Sequence, residues 1–176
     1  MNPAALPDRV RVREVGPRDG FQNEPERIPT EDKIRLIDAL ARTGLKRIEV
    51  ASFVRADVIP QLDDAVPVLT GIDVPDDVSL TVLVPNEQGL QTALEYRDRF
   101  HEVAVFLSAS ETHNRRNVNR TVGESLGALE RLIPAVRDAG LRAGAVIATS
   151  AEVQRVLGRR LTSHVLIAGP VNWNGG

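Results

Sequence analysis

The sequence has no cysteine, and only 3% of its 176 residues are aromatic. The lack of cysteine excludes disulfide bonds, thiolate metal sites and a thiol nucleophile. The scarcity of aromatic side chains argues against a surface that stacks on nucleic-acid bases. A net charge of −2 gives no excess of positive charge to attract nucleic acid or an acidic membrane surface. We therefore expect no nucleic-acid partner.

Long apolar runs are also lacking. No stretch approaches the roughly 20 apolar residues that span a bilayer. The first eight residues, MNPAALPD, resemble neither a signal peptide nor an Arg- and Ser-rich transit peptide. The hydrophobic share of 42% and the charged share of 26% are typical of a globular protein. We expect a soluble, cytoplasmic protein with no membrane partner.

Strand-like and helix-like segments alternate along the chain. The helix-like segments have apolar residues three and four positions apart, and the strand-like segments are short and rich in Val, Ile and Leu. The predicted strands are 10–15, 45–51, 78–84, 102–107 and 141–148, the predicted helices are 30–41, 58–69, 87–96 and 122–139, and 108–116 is predicted to be a polar loop. Strands separated by helices of this length favour parallel βαβ units.

Two folds are consistent with this alternation. A closed barrel needs eight βα units and typically about 250 residues, whereas an open doubly wound sheet is complete with fewer units. Periodicity alone does not separate them. No Gly-rich phosphate loop follows the first predicted strand, which argues against the nucleotide-binding forms of the open sheet.

The segment 15–24, VGPRDGFQNE, follows the first predicted strand directly. In β/α barrels, catalytic residues lie at the C-terminal ends of the strands. Asp19 could give an oxygen ligand to a hard cation such as Mg²⁺ or Mn²⁺, and Arg18 could stabilise a developing oxyanion. For an isolated Arg-Asp-Gly, turn chemistry alone is a sufficient explanation, with a capping Asp and a solvated Arg.

Glu49 lies within the second predicted strand. A buried carboxylate needs a partner, and Arg18 at the end of the neighbouring strand is the natural one. The alternative is a Glu49 that faces solvent beside Arg47.

The segment after the fourth predicted strand, 108–114, contains Ser108, Ser110 and His113, which could bind a carboxylate or a thioester. A plain polar loop is the alternative. Nearby cationic and amide side chains could meet a phosphorylated tail such as that of coenzyme A, or form a solvated helix entry; they are Arg115, Arg116, Asn117, Asn119 and Arg120. His101 and His164 have no neighbours at metal-ligand spacing, and we interpret both as structural.

From about residue 10 to 150 the sequence resembles hydroxymethylglutaryl-CoA lyase. The segment 15–24 is specific to that family, and weaker similarities follow in the same order at 33–38, 44–49, 52–54, 60–61, 109–111 and 116–119. The resemblance implies an α/β fold of parallel βα units of a TIM-type (β/α)8 barrel, of which about four and a half to five are present. Residues 1–150 would be the N-terminal part of the barrel domain, and residues 151–176 a divergent tail.

The same resemblance implies a metal-dependent carbon–carbon lyase that cleaves 3-hydroxy-3-methylglutaryl-CoA to acetyl-CoA and acetoacetate with Mg²⁺ or Mn²⁺. By motif position, Asp19 would be a metal ligand, and Arg18 would neutralise the enolate oxygen. Glu49 would orient Arg18 as the second catalytic residue. Gln22 and Ser110 would contact the acyl-CoA substrate.

The chain departs from the family in its ligand set. The family's site also uses a His-x-His pair, an Asn and a Cys on a Gly-rich loop, and this sequence has neither a His-x-His pair nor any Cys. We expect little or no activity from the chain alone, and hypothesise that the tail arose by truncation or a change of reading frame. The alternatives are a related metal-dependent aldolase or acyl-CoA synthase, and a non-catalytic half-barrel that self-associates through its exposed sheet edge.

Overall fold

The computed structural model describes residues 11–148 and the two residues 165–166. Its five strands, all paired in parallel, form one sheet in the order β1 (Arg47–Ser52), β2 (Ser79–Leu83), β3 (Glu102–Ser108), β4 (Arg142–Ala148) and β5 (Val165–Leu166). The helices are α1 (Thr30–Ala41), α2 (Ala65–Gly71), α3 (Glu87–Leu94), α4 (Glu111–Val118) and α5 (Val122–Asp138). The remainder of the predicted divergent tail, 151–164 and 167–176, lies outside the described residues.

The order of the strands separates the two candidate folds. Each described strand pairs with the next one along the chain, and all four pairings are parallel. A doubly wound sheet reverses its strand order at a switch point, whereas a β/α barrel adds strands in sequence. The predicted parallel βα units of a barrel are therefore confirmed.

The first predicted strand is reduced to a single bridge. Glu14 pairs with Ile48 in parallel, and its backbone exchanges two hydrogen bonds with the neighbouring strand: Glu14 N–H to the Arg47 carbonyl at 2.9 Å and Glu49 N–H to the Glu14 carbonyl at 2.8 Å. The carbonyl of Val15 instead accepts bonds from the turn that follows it. The segment therefore occupies a strand position next to β1 but is too irregular to form a ladder.

Two other predicted elements differ from the structure. In place of the predicted helix 58–69 the structure has a short 3-10 turn, Pro60–Leu62, and then α2. The helix does not continue between them because the backbone at Asp64 is not helical. The predicted polar loop 108–116 contains most of α4, which begins at Glu111. The remaining predicted helices and strands agree with the structure to within a few residues.

The hydrophobic core lies between the sheet and the helices. Alternate residues of the strands, among them Ile48, Val50, Val103 and Val105, pack there against α1, α2 and α5. The helices contribute Ile37, Leu69, Leu132 and Val136. The residues between them point to the opposite face, which would be the interior of a barrel. Glu49 is in register with Thr81, and Thr81 with Glu102, so this face carries two carboxylates at one level.

Candidate functional site

Arg18 and Asp19 lie in one turn of π-helix, Gly16–Gly20, which begins two residues after the bridged residue Glu14. The carbonyl of Val15 accepts hydrogen bonds from the N–H groups of Arg18 at 3.0 Å and Asp19 at 2.7 Å. The side chain of Asn23 donates to the Asp19 carbonyl at 2.7 Å, which closes the turn from its other end. The turn thereby fixes the backbone of both residues next to β1.

Arg18 is the partner of Glu49. Its Nε donates to Glu49 Oε1 at 2.6 Å, and its Nη1 contacts Asp19 Oδ1 at 2.5 Å. The Glu49 side chain is only 1% exposed, that of Arg18 12% and that of Asp19 54%. The predicted pairing is present, and the alternative of a solvent-facing Glu49 is wrong. A buried carboxylate thus holds the guanidinium from one side, while an exposed carboxylate meets it from the other.

A second buried carboxylate extends this charged cluster. Glu102, also buried, accepts hydrogen bonds from Arg13 at Oε1 and from Arg47 at Oε2, the latter at 2.5 Å. Arg13 also lies 3.7 Å from Glu49 Oε2 through Nη1. Neither Arg13 nor Glu102 was among the predicted site residues. The alternation of charged and apolar residues at 10–14 was a signal for Arg13, but no local pattern places it beside β3.

Asp19 is the one predicted metal ligand, and the described residues do not complete a site around it. A divalent cation such as Mg²⁺ or Ca²⁺ takes about six oxygen ligands, some of them waters. Within residues 11–148 and 165–166, no three His, Cys, Asp or Glu side chains come together in a way that could hold a metal. The donor set among these described residues is therefore insufficient for the divalent metal that the resemblance implies, and we derive no chemical step through it.

Gln22 and Ser110 do not join the cluster of Arg18 and Glu49. Gln22 follows the π-helical turn and is half-buried, and Ser110 is exposed beyond the C-terminal end of β3. The Ser110 hydroxyl accepts a hydrogen bond from the His113 N–H at 3.3 Å and caps α4. Their part in substrate binding stays a prediction.

Asn114 is a buried residue that sequence reasoning missed. Its side-chain oxygen accepts from the Ser108 N–H at 3.1 Å, and its amide donates to the carbonyls of Arg120 and Thr121 and to the Ser125 hydroxyl at 2.7–3.0 Å. These bonds tie the end of β3 to the start of α5 and so fix the position of α4. The nearby cationic side chains of Arg115 and Arg116 are exposed.

A cavity of about 780 Å³ lies at the other end of the sheet. It is bordered by the first residues of four strands, which are Arg47, Ser79, Glu102 and Arg142. Neither Arg18 nor Asp19 contributes to it. The chemistry of barrels resides at the C-terminal ends of the strands, so we place the candidate site at the π-helical turn and not in this cavity.

In the part of the chain that the structure describes, no helix combines the length and the apolar character that crossing a membrane requires.

Comparison with known proteins gives a consistent result. Residues 9–165 match the family model described as HMGL-like. The hydroxymethylglutaryl-CoA lyase YngG of Bacillus subtilis is 49% identical over 143 residues, which are 81% of this chain and 47% of that protein. The chain thus spans about half the length of this curated relative.

Solved structures agree. The crystal structure of the Bacillus subtilis HMG-CoA lyase matches with a TM-score of 0.77 at 48% identity, over 81% of this chain and 47% of that one. An HMG-CoA lyase from Acinetobacter baumannii, solved in complex with coenzyme A and 3-methylmalate, matches with a TM-score of 0.73 at 37% identity, over 78% and 44% of the two chains.

Proposed function

Because the chain belongs to the HMGL-like family, we propose that it carries part of the active site of a hydroxymethylglutaryl-CoA lyase. The reaction is the cleavage of 3-hydroxy-3-methylglutaryl-CoA to acetyl-CoA and acetoacetate. The observation that carries the proposal is the Arg18 guanidinium held by the buried carboxylate of Glu49 at 2.6 Å. The family match to YngG supports the choice of reaction.

Arg18 supplies the positive charge that this cleavage needs. A base takes the proton of the substrate hydroxyl, the ketone of acetoacetate forms, and the carbon–carbon bond breaks. Its electron pair passes to the thioester as an enolate, and protonation of the enolate carbon gives acetyl-CoA. A fixed cation at the enolate oxygen lowers the barrier because it meets charge that develops in the transition state. A guanidinium has five N–H groups, and the contacts with Glu49 and Asp19 use two of them.

Glu49 has the role of orienting Arg18. Its side chain is 1% exposed, and a carboxylate so deeply buried keeps a fixed geometry because it stays paired with its cations. Lysine would not serve equally at position 18, since only the planar guanidinium can meet Glu49 and Asp19 together and still present further N–H groups.

Asp19 is our candidate for one ligand of a divalent cation, with Mg²⁺ or Mn²⁺ the expected metal. The carboxylate is half exposed and lies at the open side of the turn, which leaves it accessible. The sequence contains no His-x-His pair and no Cys. We therefore expect the 176-residue chain by itself to have little or no lyase activity.

The proposed substrate is an acyl-CoA, with Gln22 and Ser110 as substrate contacts. The complex of the Acinetobacter baumannii lyase with coenzyme A supports this class of ligand. Arg115 and Arg116, both exposed in the last turn of α4, are available to a phosphorylated tail. We also propose that the protein is cytoplasmic, as the sequence leads us to expect.

Two assays of acetoacetate formation test the proposal. The purified chain, given 3-hydroxy-3-methylglutaryl-CoA with Mg²⁺ or Mn²⁺, is expected to be nearly inactive, and turnover near that of YngG would contradict an incomplete site. A chimera of YngG, in which residues 11–148 of this chain replace the aligned segment, is expected to cleave the thioester. A folded chimera that cleaves a 2-oxoacid aldol substrate instead would favour the related aldolases.

A further inference from the structure

We propose that Arg13 is a positioning residue, which fixes the carboxylate of Glu49 and through it the orientation of Arg18. The inference deepens the proposed function and rests on the role assigned there to Arg18. Arg13 itself is buried and lies against the oxygen of Glu49 that Arg18 does not contact.

The two oxygens of Glu49 are shared between two arginines. Oε1 accepts the hydrogen bond from Arg18 Nε at 2.6 Å, and Oε2 lies 3.7 Å from Arg13 Nη1. The side chains of Arg13 and Glu49 are 3% and 1% exposed. A carboxylate held at both oxygens cannot rotate about its last bond without losing a cation, so its Oε1 stays aimed at Arg18.

Arg13 is anchored on its far side. Its Nη2 donates to Glu102, whose other oxygen accepts from Arg47 Nη2 at 2.5 Å and lies 3.8 Å from Arg142 Nε. Among the described residues, Arg13 is the side chain that contacts both Glu49 and Glu102. Glu102, fixed by two further arginines, thus holds Arg13 in place against Glu49.

The backbone explains why this arrangement is rigid. Arg13 precedes Glu14 directly and Arg18 follows it by four residues, and Glu14 is hydrogen-bonded to the neighbouring strand through its N–H, to the Arg47 carbonyl, and through its carbonyl, from the Glu49 N–H. Glu49 and Glu102 are at one level of the sheet because each is in register with Thr81. One short segment therefore brings a guanidinium to each oxygen of Glu49.

Electrostatics make Arg13 necessary for this geometry. Two carboxylates buried at one level of a sheet repel each other, and each is costly to bury without a cation. If a neutral residue replaced Arg13, Glu49 would keep Arg18 as its one close cation and would lose the contact that restrains Oε2. The carboxylate would then move, and the hydrogen bond from Arg18 Nε would open more often.

Hydrogen exchange of the Arg18 Nε–H group, followed by NMR on the full chain, tests this directly. In Arg13→Met we expect exchange to be faster by about tenfold, the size expected when one charge-assisted hydrogen bond is weakened. The matched control is Arg99→Met, which removes an arginine that donates to the carbonyls of Leu69, Thr70 and Ile72, outside the Glu49 and Glu102 cluster, and exchange there should be unchanged. The backbone N–H of Val50 in β1 should exchange at the parent rate in both variants.

Equal Arg18 Nε–H exchange in the parent and in a folded Arg13→Met would overturn the proposal. If Arg13→Met does not fold, Arg13→Lys decides: its single ammonium meets one carboxylate well but not both, and exchange should again be faster than in the parent. Unchanged exchange in Arg13→Lys would overturn the proposal too. Because the readout needs no turnover, an inactive parent chimera would count against the proposed function and leave this result standing.

Discussion

Lys33 is a charged residue whose surroundings make it part of the core. Its Nζ donates to Asp64 Oδ1 at 2.7 Å and to the Gln61 carbonyl at 2.6 Å, and Asp64 Oδ2 accepts from the Thr30 hydroxyl at 2.7 Å. Both members of the ion pair are about 5% exposed or less. The pair joins α1 to the turn that precedes α2.

Replacing Lys33 by Met should therefore be costly. The change leaves the Asp64 carboxylate buried without its cation, for which we expect a loss of about 3–5 kcal/mol in the free energy of unfolding. Urea denaturation measures it. Lys46→Met is the matched control, since Lys46 and its partner Asp77 are both exposed and their pair contributes little. Equal stability of the two variants would contradict the burial of Lys33.

For individual residues, the sequence predicted Arg18, Asp19 and Glu49 as site residues because they lie in a recognisable motif or in a strand beside it. It did not reach Arg13 and Glu102. Their contact spans 89 positions in the chain and depends on the register of three strands, which local periodicity does not reveal.

Helix α5 shows how a single element is held at its start. Thr121 and Glu124 form a capping box: the Thr121 hydroxyl accepts from the Glu124 N–H at 3.1 Å, and the Glu124 carboxylate accepts from the Thr121 N–H at 2.8 Å. The pKa of the Glu124 carboxyl is held below its ordinary value of 4.5. The hydrogen bond from the Thr121 N–H is the largest cause, and the one from the Thr121 hydroxyl is the next. The stabilisation from this lowered pKa is complete above pH 4.5 and is lost as pH falls through the folded-state pKa.

Thr121→Ala should raise the pKa of Glu124 part of the way back, because the hydroxyl is lost while the backbone N–H remains. It should also lower the free energy of unfolding by about 1 kcal/mol, the usual value for an N-cap. An NMR titration of the Glu124 carboxyl carbon and a urea melt measure the two effects. Thr92→Ala is the control, since that hydroxyl bonds only within α3. A Glu124 pKa identical in the parent and Thr121→Ala would contradict the capping geometry.

Helix α4 is the element that sequence reasoning missed. Its residues are almost all polar, so it lacks the apolar face on which helix prediction relies. A Ser followed by Glu at its start was a usable capping signal, but what fixes the helix is Asn114, a buried amide whose partners lie at both ends of the segment. Periodicity carries no information about such a contact.

Asn114→Ala tests that explanation. The change leaves the Ser108 N–H and two carbonyls without their partner, and we expect a loss of about 2–3 kcal/mol in the free energy of unfolding. Thermal or urea denaturation measures it. Asn117→Ala, at an exposed position of the same helix, should change stability by no more than about 0.5 kcal/mol. If the two substitutions were equivalent, Asn114 would not be the anchor of α4.

For the whole molecule, the alternation of elements predicted parallel βα units correctly. It could not separate a barrel from an open sheet, because both use the same local pattern; the sequential strand order decides between them. Within the described residues the sheet does not close, since β5 pairs with β4 and the far edge of β1 carries one bridge to Glu14.

An open parallel sheet leads to a prediction about association. Sheets of this type are normally covered on both faces, and edge strands invite pairing with another chain. We expect the purified chain to elute as a dimer or larger species in size-exclusion chromatography with light scattering. A monodisperse monomer at all concentrations would contradict the expected self-association.

The central claim is that Arg18, held by Glu49, supplies the charge that a lyase of this family uses. The most direct test compares acetoacetate formation by the YngG chimera with that of its Arg18→Gln and Arg35→Gln variants. Arg35 is exposed on α1 and pairs with Asp32, so Arg35→Gln should match the parent. Arg18→Gln should lower kcat by about 10²–10³, as for the loss of an oxyanion-stabilising group. An Arg18→Gln chimera that is folded and turns over at the rate of Arg35→Gln would contradict the claim.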